Sequence, residues 1–311
     1  MSKILVSGSL AYDRIMDFPG RFGDHILPNK IHILNVCFVV KGLKESFGGT
    51  AGNIAYNLSL LRERSTILSV VGEDFTKYKN WLKSKKIDLS LVKKVRGHLT
   101  ATAQIITDQD DNQLTAFYGG PVVKNYPTIV RKVKQPNLAI ISPDDKTRML
   151  EYAKIYRRIK VPYIFDPGQV TPLFSAVELK PAVKGSKVLI GNDYEIQLIS
   201  RRLRVNQKRL AQLTQILVIT KGSQGSEIYH QGKKIKIPPA KPQNTCDPTG
   251  AGDAYRAGLI KGLLMGWPLA KAGRLAGLVA VYTVEKYGTQ THSFTWSELG
   301  KRYRENFKEK L

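Results

Sequence analysis

The 311-residue sequence has few cysteines and no long uninterrupted apolar segment. Its two cysteines, Cys37 and Cys246, lie far apart without CxxC or Cys/His spacing, which excludes a disulfide framework and a structural zinc site. The most apolar stretch, residues 259–284, is interrupted by Lys, Pro and Arg, so it falls short of the roughly 20 apolar residues of a membrane span. The N-terminus lacks the charge cluster and cleavage site of a secretory leader. We therefore expect a soluble, cytoplasmic protein.

Acidic residues are also scarce. The chain has 25 Asp and Glu against 49 Lys and Arg, which gives a formal net charge of +24 and raises the hypothesis of a nucleic-acid-binding protein. However, the basic residues are spread over several segments and alternate with apolar residues at helical spacing, which is typical of solvated helix faces. The sequence contains no known nucleic-acid-binding motif. We keep nucleic-acid binding as an alternative function and expect no specific nucleic-acid partner.

What the sequence does contain is a regular alternation of short β-branched segments with helical patterns. Strands are predicted at residues 4–7, 66–71, 138–142, 163–166, 188–190 and 216–220. This alternation predicts an α/β fold with a mostly parallel central sheet between layers of helices. Several of the strands end in Gly, Asp or Asn, and in such sheets ligands bind at the carboxyl edge.

Two segments interrupt the alternation. Residues 31–47 and 99–118 carry strand-type residues without helices between them, and the string DQDDN in the second predicts a turn. We predict a single domain over residues 1–311 with a small inserted β-sheet, a lid formed by segments at about 10–47 and 97–120. An exposed sheet edge is also suited to a homodimer contact, so both uses of this sheet stay open.

The string Asp-Pro-Thr-Gly-Ala-Gly-Asp at residues 247–253 precedes an apolar helical pattern. Gly250, Ala251 and Gly252 would present backbone N–H groups at a helix N-terminus, where unpaired donors and the helix dipole favour an anion. Asp253 then has two interpretations. It is either a partner of the helix dipole or a base that takes a proton from a nucleophile beside a bound phosphate.

A second glycine-rich string, Gly-Gly-Thr-Ala-Gly-Asn at residues 48–53, enters another helical pattern. Tight packing of the helix on the sheet explains it as well as ligand binding does. Two such helix entries in one α/β sheet suggest two polar ligands, or two ends of one ligand.

With these motifs the sequence resembles the ribokinase family of carbohydrate and nucleoside kinases, also called the PfkB family. The two glycine-rich strings match its signatures, and three further features occur in the expected order: Asp13, an N-x-x-E motif at residues 192–195, and Thr-Lys-Gly-Ser-Gln-Gly at residues 220–225. The resemblance covers nearly the whole chain. It implies a ribokinase-like three-layer α/β/α fold and an ATP-dependent phosphotransferase with an alcohol acceptor.

The resemblance also implies roles for individual residues. Asp253 would be the general base, and the turn at residues 250–252 the anion hole for the transferred phosphoryl group. The acceptor site would consist of residues from the N-terminal part, namely Asp13, Gly48, Gly49 and Asn53. The nucleotide site would consist of residues from the C-terminal part, namely Asn192, Thr220, Gly222 and Gly225.

Two metal sites follow from the same resemblance. Glu195 would hold Mg²⁺ through water, although without the resemblance an ordinary solvated helix residue is the favoured interpretation. Asp247 and Thr249, with carbonyls near Thr283 and Gly288, would form a monovalent-cation site for K⁺.

Longer strings, including FDPGQ and EKYGTQ, resemble prokaryotic adenosine kinases and broad-specificity nucleoside kinases. They imply transfer of the γ-phosphoryl group of ATP to the 5′-hydroxyl of a ribonucleoside, with adenosine as the expected acceptor. Apolar residues of the inserted segments would cover a purine or, equally, form the lid's own core or a dimer contact: Ile33, Leu34, Val36, Phe38, Phe117 and Tyr118. The alternative is a sugar kinase acting on ribose, fructose or a sugar phosphate.

Overall fold

The computed structural model of the protein describes residues 4–33, 35–110, 112–123 and 136–311. The strands are β1 (Ile4–Ser7), β2 (Ala11–Asp17), β3 (Leu43–Gly48), β4 (Ser65–Val71), β5 (Val92–Lys94), β6 (Ala101–Thr107), β7 (Gln113–Tyr118), β8 (Leu138–Ile141), β9 (Tyr163–Phe165), β10 (Val188–Asn192), β11 (Ile216–Thr220), β12 (Ser226–His230) and β13 (Lys233–Ile237). The helices are α1 (Phe22–His25), α2 (Thr50–Leu60), α3 (Thr76–Ser84), α4 (Lys146–Arg158), α5 (Ala176–Lys184), α6 (Asp193–Leu203), α7 (Gln207–Ala211), α8 (Ala251–Leu264), α9 (Leu269–Val284) and α10 (Trp296–Phe307).

The central sheet has the strand order β13-β12-β11-β10-β9-β8-β1-β4-β5 in the described part of the chain. Neighbouring strands pair in parallel except at β12, which is antiparallel to both β11 and β13. All six predicted strands are present, which confirms the predicted α/β fold with a mostly parallel sheet.

Helices cover both faces of this sheet because its strands are apolar on both sides. In β1, Ile4 and Val6 belong to the apolar cluster formed with α2, α8 and α9. Leu5, which points to the opposite face, belongs to the cluster formed with α4, α5 and α6. Two cores on the two faces of one sheet give the three-layer arrangement.

A second sheet, with the order β3-β2-β6-β7, is formed by strands that lie between β1 and α2 and between β5 and β8. It is mixed, since β2 pairs in parallel with β6 while the outer pairs are antiparallel. The turn predicted from DQDDN joins β6 to β7. There the Asp108 carboxylate accepts hydrogen bonds from the backbone N–H groups of Asp110 and Asn112, at 3.0 and 2.9 Å.

The prediction of strand structure from residue 31 onward is wrong for its first part. Among the described residues of 31–42 none lies in a strand, and the strand begins only at Leu43. Phe38 turns inward and makes edge contacts with Phe18 and Phe22, with ring centroids 4.9 and 5.0 Å apart. Strand β3 pairs with β2, and the sequence analysis did not identify the residues of β2 as a separate strand.

The basic segments lie on solvated helix faces, as predicted. Lys79 and Lys83 of α3 and Lys301 and Arg304 of α10 are exposed. Of the helices in the described residues, none combines the length and apolar character needed to cross a membrane.

Candidate active site

The first glycine-rich turn joins β3 of the second sheet to α2, which packs on the central sheet. Gly49 has φ +84°, and a Cβ there would lie 2.6 Å from the Ser9 carbonyl oxygen, so only glycine fits between β3 and the start of α2. A Cβ on Gly48 would lie 2.1 Å from Oδ2 of Asp13. Tight packing therefore explains Gly49, while Gly48 gives room to the carboxylate of Asp13. Three of the predicted acceptor residues are thereby brought together.

Asp13 is partly buried on β2. Burial, with a smaller contribution from the Asp247 carboxylate, raises the pKa of Asp13 to about 6. A partly buried carboxylate beside a glycine backbone is suited to accept hydrogen bonds from hydroxyl groups of a ligand.

Asn53 and Asp253 join the two glycine-rich motifs directly. Asn53 is buried on the first turns of α2, and its Nδ2 donates a hydrogen bond of 2.9 Å to Oδ2 of Asp253 in the first turn of α8. The two residues are 200 positions apart in the chain. The fold thus places the predicted acceptor-binding residue and the predicted base side by side.

The environment of Asp253 gives its carboxyl group an unusually high pKa. Burial is the largest cause and raises the pKa of Asp253 to about 7. The positive charge of Arg256 and the hydrogen bond from Asn53 lower the pKa, and the carboxylates of Asp166 and Asp13 raise it. A carboxylate with a pKa near neutrality is matched to proton abstraction at physiological pH.

The second glycine-rich turn begins α8. Gly250 is the N-cap residue, with φ +78°, and a Cβ on it would lie 2.9 Å from Cγ2 of Thr289. Helix α8 starts at Ala251, so the N–H groups of its first turn are oriented toward the N-terminal end, as an anion hole requires. The Ala251 N–H itself donates to the Pro248 carbonyl, at 3.2 Å. Thr289 in turn donates from Oγ1 to the Phe47 carbonyl, at 2.9 Å, which ties this turn to β3.

Arg256 and Asp166 are site residues that the sequence analysis did not identify. Asp166 follows β9 and accepts hydrogen bonds on both carboxylate oxygens from the guanidinium of Arg256, with Nη2 at 2.7 Å from Oδ1. Nη1 of Arg256 also donates to the Gly252 carbonyl, at 2.9 Å. The signal in the sequence is a charged residue between Ala254 and Ala257 of α8.

Gln290 is another residue that the sequence analysis missed. Its Nε2 donates to Oδ1 of Asn53 at 3.0 Å and to Oη of Tyr78 at 2.6 Å. Nε1 of Trp81 donates to Oε1 of Gln290 at 3.0 Å. Because Gln290 supplies a donor to Oδ1 of Asn53, the amide of Asn53 is oriented with its own donor toward Asp253. Gln290 is the last residue of EKYGTQ, one of the strings that carry the resemblance to nucleoside kinases.

The predicted nucleotide residues lie at the ends of β10 and β11. Asn192 and Thr220 are register partners in the sheet, while Gly222 and Gly225 have φ values of +53° and +84°. A Cβ on Gly225 would lie 2.2 Å from the carbonyl oxygen of Ile237, so packing against β13 already requires glycine there. A cleft of about 620 Å³ opens between α6 and the turn at residues 221–224.

Glu195 and Asn192 form a capping box at the start of α6. Oε2 of Glu195 accepts from the Asn192 backbone N–H, and Oδ1 of Asn192 accepts from the Glu195 N–H, both at 2.8 Å. Burial and the Asp166 carboxylate raise the pKa of Glu195, while Arg256 lowers it. One carboxylate with one oxygen outside the capping box fits a Mg²⁺ that is bound mainly by water and phosphate oxygens.

Asp247 connects the second motif to the loop after α9. Its Oδ1 accepts from the Thr249 N–H at 2.9 Å, and its Oδ2 accepts from the Gly288 N–H at 3.0 Å. The predicted cation-site residues Asp247, Thr249 and Gly288 therefore lie together. The Asp247 N–H also donates to the carbonyl of Val284, next to Thr283, at 3.1 Å. Within the described residues, no three His, Cys, Asp or Glu side chains form a group that would hold a metal by themselves.

Comparison with known proteins gives this arrangement a family. The sequence pattern of the pfkB family carbohydrate kinases matches residues 8–296. A nucleoside kinase of Methanocaldococcus jannaschii is 32 % identical in an alignment over 309 residues that covers 97 % of this chain and 97 % of the relative. A nucleoside kinase of Methanothermobacter thermautotrophicus is 36 % identical over 277 residues, covering 86 % of this chain and 88 % of the relative.

Solved structures agree with these relatives. The nucleoside kinase of Burkholderia thailandensis in complex with inosine superimposes with a TM-score of 0.89 at 33 % identity, covering 99 % of this chain and 100 % of the other. The same enzyme in complex with ADP-inosine gives a TM-score of 0.86 at 35 % identity, covering 99 % of this chain and 97 % of the other.

Taken together, the three-layer fold and the carboxylate beside a glycine-rich helix entry define a small-molecule kinase. The chain belongs to the pfkB family of carbohydrate kinases.

Proposed function

We propose that this protein transfers the γ-phosphoryl group of ATP to the 5′-hydroxyl of a purine ribonucleoside, with adenosine as the expected acceptor. The observation that carries the proposal is the hydrogen bond from Asn53 to Asp253, because it brings a residue of the acceptor motif into direct contact with the predicted base. The similarity to nucleoside kinases over 97 % of the chain supports a nucleoside over a free sugar. The inosine complex of the Burkholderia relative supports a purine.

In the proposed reaction, Asp253 removes the proton of the 5′-hydroxyl. Because Oδ2 of Asp253 is held by Asn53, the proton goes to Oδ1. The nucleoside oxygen then forms a bond to the γ-phosphorus while the bond from that phosphorus to the β-phosphate oxygen breaks, leaving ADP. The N–H groups of the turn at residues 250–252 stabilise the charge of the transferred group.

We assign the remaining predicted site residues to the substrates and ions around this centre. Asp13 and the backbone at Gly48 and Gly49 would bind the ribose hydroxyls, while Asn192 and Thr220 would lie along the nucleotide. Mg²⁺ neutralises phosphate charge when it is bound with ATP, and Glu195 would hold it through water. Asp247 and Thr249 would hold K⁺, since the Asp247 oxygens keep lone pairs beyond those used by the two N–H groups.

We further propose that the β3-β2-β6-β7 sheet covers the bound nucleoside. Asp13 lies on this sheet and contributes directly to the acceptor site, which supports a lid. Phe38 packs in the sheet's own aromatic cluster with Phe18, so it is not available to cover a purine. Phe117 and Tyr118 are exposed on β7, and Leu34 lies outside the described residues. A homodimer through the exposed β7 edge stays a prediction, which sedimentation with and without nucleoside would test.

The assay offers adenosine, inosine, cytidine, ribose and fructose 6-phosphate separately with ATP and Mg²⁺, and measures ADP formation. We expect turnover with the purine ribonucleosides and a 5′-monophosphate product identified by mass spectrometry. The matched control is 5′-deoxyadenosine, which lacks only the acceptor hydroxyl and should give no ADP. Turnover of ribose or fructose 6-phosphate alone would replace this proposal with the sugar-kinase alternative.

A further inference from the structure

Arg256 is a buried cation in the centre of the site. It lies one turn after Asp253 on α8 and is only 7 % exposed. All three arms of its guanidinium are used: Nε and Nη2 bind Asp166, and Nη1 donates to the carbonyl of Gly252. A guanidinium with every nitrogen engaged is held in one orientation, which a lysine ammonium cannot reproduce.

The glycine at position 252 fits this arginine. A Cβ on Gly252 would lie 2.9 Å from Nη1 of Arg256, closer than real Cβ atoms approach a heavy atom. The last glycine of the anion-hole turn therefore leaves room for the guanidinium, in addition to any room it leaves for a phosphate.

Asp166 connects Arg256 to the rigid part of the molecule. Its backbone N–H donates to the Ile141 carbonyl at 2.9 Å, so it continues the pairing of β9 with β8. The Asp166 side chain is 1 % exposed. Through Asp166, Arg256 fixes the first turn of α8 to the carboxyl edge of the central sheet.

We propose that Arg256 is a positioning residue for phosphoryl transfer. It binds Asp166 and the Gly252 carbonyl, and so holds the turn at residues 250–252 at a fixed position relative to the Asp253 carboxyl group. This inference rests on the proposed kinase function. Phosphoryl transfer depends mainly on positioning and on neutralisation of charge, so small movements of the anion hole lower the rate more than they lower substrate binding.

The first test is Arg256→Lys, which keeps the positive charge but cannot make the two-pronged contact and the Gly252 contact together. We expect kcat to fall about tenfold to a hundredfold, with KM values for nucleoside and ATP within about twofold of wild type.

The second variant is Arg256→Gln, which also removes the charge. In the wild type, Asp253 faces Arg256, Asn53, Asp166 and Asp13, and only Arg256 among these is a cation. The acidic limb of the kcat profile should therefore move to higher pH in Arg256→Gln and stay in place in Arg256→Lys.

The control is Lys261→Gln on the same helix. Lys261 is 9 % exposed, and it pairs with Glu63 at 2.6 Å and lies over the ring of Trp296. This variant should lower the melting temperature while kcat and its pH profile stay unchanged. A purely structural Arg256 would behave in the same way as Lys261.

The outcomes separate this inference from the proposed function. A wild-type protein without turnover on any acceptor would overturn the proposed function before the variants are measured. An active wild type with an Arg256→Lys variant of equal kcat would overturn only the role of Arg256, as would a loss that appears entirely in KM. If Arg256→Gln does not fold, the kcat and KM values of Arg256→Lys decide the question alone.

Discussion

At the scale of single residues, the proposed chemistry depends on how Asp253 is held. Its carboxyl group combines burial, which raises its pKa, with one hydrogen bond from Asn53, which leaves the other oxygen for a proton. We predict that Asp253→Asn lowers kcat by about 10²- to 10⁴-fold, as removal of a general base does. ATP binding, measured by calorimetry, should stay within about twofold because the amide keeps the shape of the side chain.

The same substitution has a second expected effect, which serves as its folding control. The pKa of Asp253 rises from 3.8 to about 7 on folding. The contribution of the protonated carboxyl group to the stability of the fold is therefore fully present at low pH and is lost as the pH rises through about 7. A neutral amide avoids this loss, so Asp253→Asn should melt at or above the wild-type temperature at pH near ~8. A slow variant that melts lower would point to a folding defect, and an unchanged kcat would remove Asp253 from the role of base.

The pH dependence of the rate gives an independent prediction. Only the ionised carboxylate of Asp253 accepts the proton, so kcat should fall as pH decreases through about 7. Asn53→Ala removes a donor that stabilises the carboxylate, which should move this limb to higher pH. The measurement is kcat at saturating nucleoside and ATP across pH ~5.5 to ~9, with Glu305→Gln on exposed α10 as a surface control. A limb that does not move in Asn53→Ala would show that the observed group is not Asp253.

Sequence reasoning at this scale named Asp253 and Asn53 because they lie in local glycine-rich strings, and it named Asp13 through the family resemblance. It could not find the contact between Asn53 and Asp253, because 200 positions separate them and only the fold brings them together. It also missed Arg256, since arginine in a helix usually marks the solvated face and here the partner, Asp166, comes from a distant strand.

At the scale of elements, α8 carries the site on one end and packs along α9 with the rest of its length. Gly258 and Gly262 face Ala276 and Ala272 of α9, and a Cβ on Gly258 would lie 2.6 Å from the Cα of Ala276. The two helix backbones therefore approach closely only because these positions lack side chains. Any separation of α9 from α8 would also move the loop with Thr289, which packs against Gly250.

We predict that Gly258→Ala destabilises the protein by about 1–3 kcal/mol, because backbone atoms of α9 must move away. The matched control is Gly277→Ala inside α9, where a Cβ would meet nothing within 4 Å. There the alanine should stabilise by up to about 1 kcal/mol, because glycine is the poorer helix former. Urea unfolding of both variants measures the difference, and equal stabilities would contradict the close helix contact.

The elements that the sequence predicted well are those with a strong local pattern. The parallel strands are short apolar runs buried on both faces, and all six predicted ones are present. Strand β2 was missed because Asp13, Arg14 and Asp17 interrupt its apolar pattern, and its hydrogen bonds are made with β3 and β6, far away in the chain. Residues 36–40 are apolar but do not form a strand. Instead, the Phe38 ring makes an edge contact with Phe18.

At the scale of the whole molecule, the +24 charge is distributed rather than concentrated. The ion pairs buried among the described residues include Arg256 with Asp166, Arg302 with Glu285 and Arg148 with Asp144, and each contains one cation and one anion. Such pairs leave the net charge unchanged, and in the part of the chain that the structure describes, exposed Lys and Arg side chains lie on helix faces such as those of α3 and α10. Charges on separate faces attract polyanions over a distance without forming a shaped binding surface.

This distribution predicts weak, salt-sensitive binding to nucleic acid. A random DNA duplex should bind at about 50 mM salt, and the affinity should fall steeply toward about 150 mM, where Kd values of roughly 10⁻⁴ to 10⁻⁶ M are typical of non-specific contact. Fluorescence anisotropy with a labelled duplex across a salt series measures this slope. Asp253→Asn provides the control, because it disables the proposed reaction without removing a surface cation, and its slope should equal that of the wild type. Sub-micromolar binding at physiological salt, with sequence preference, would instead mean that the basic surface recognises nucleic acid as a specific partner.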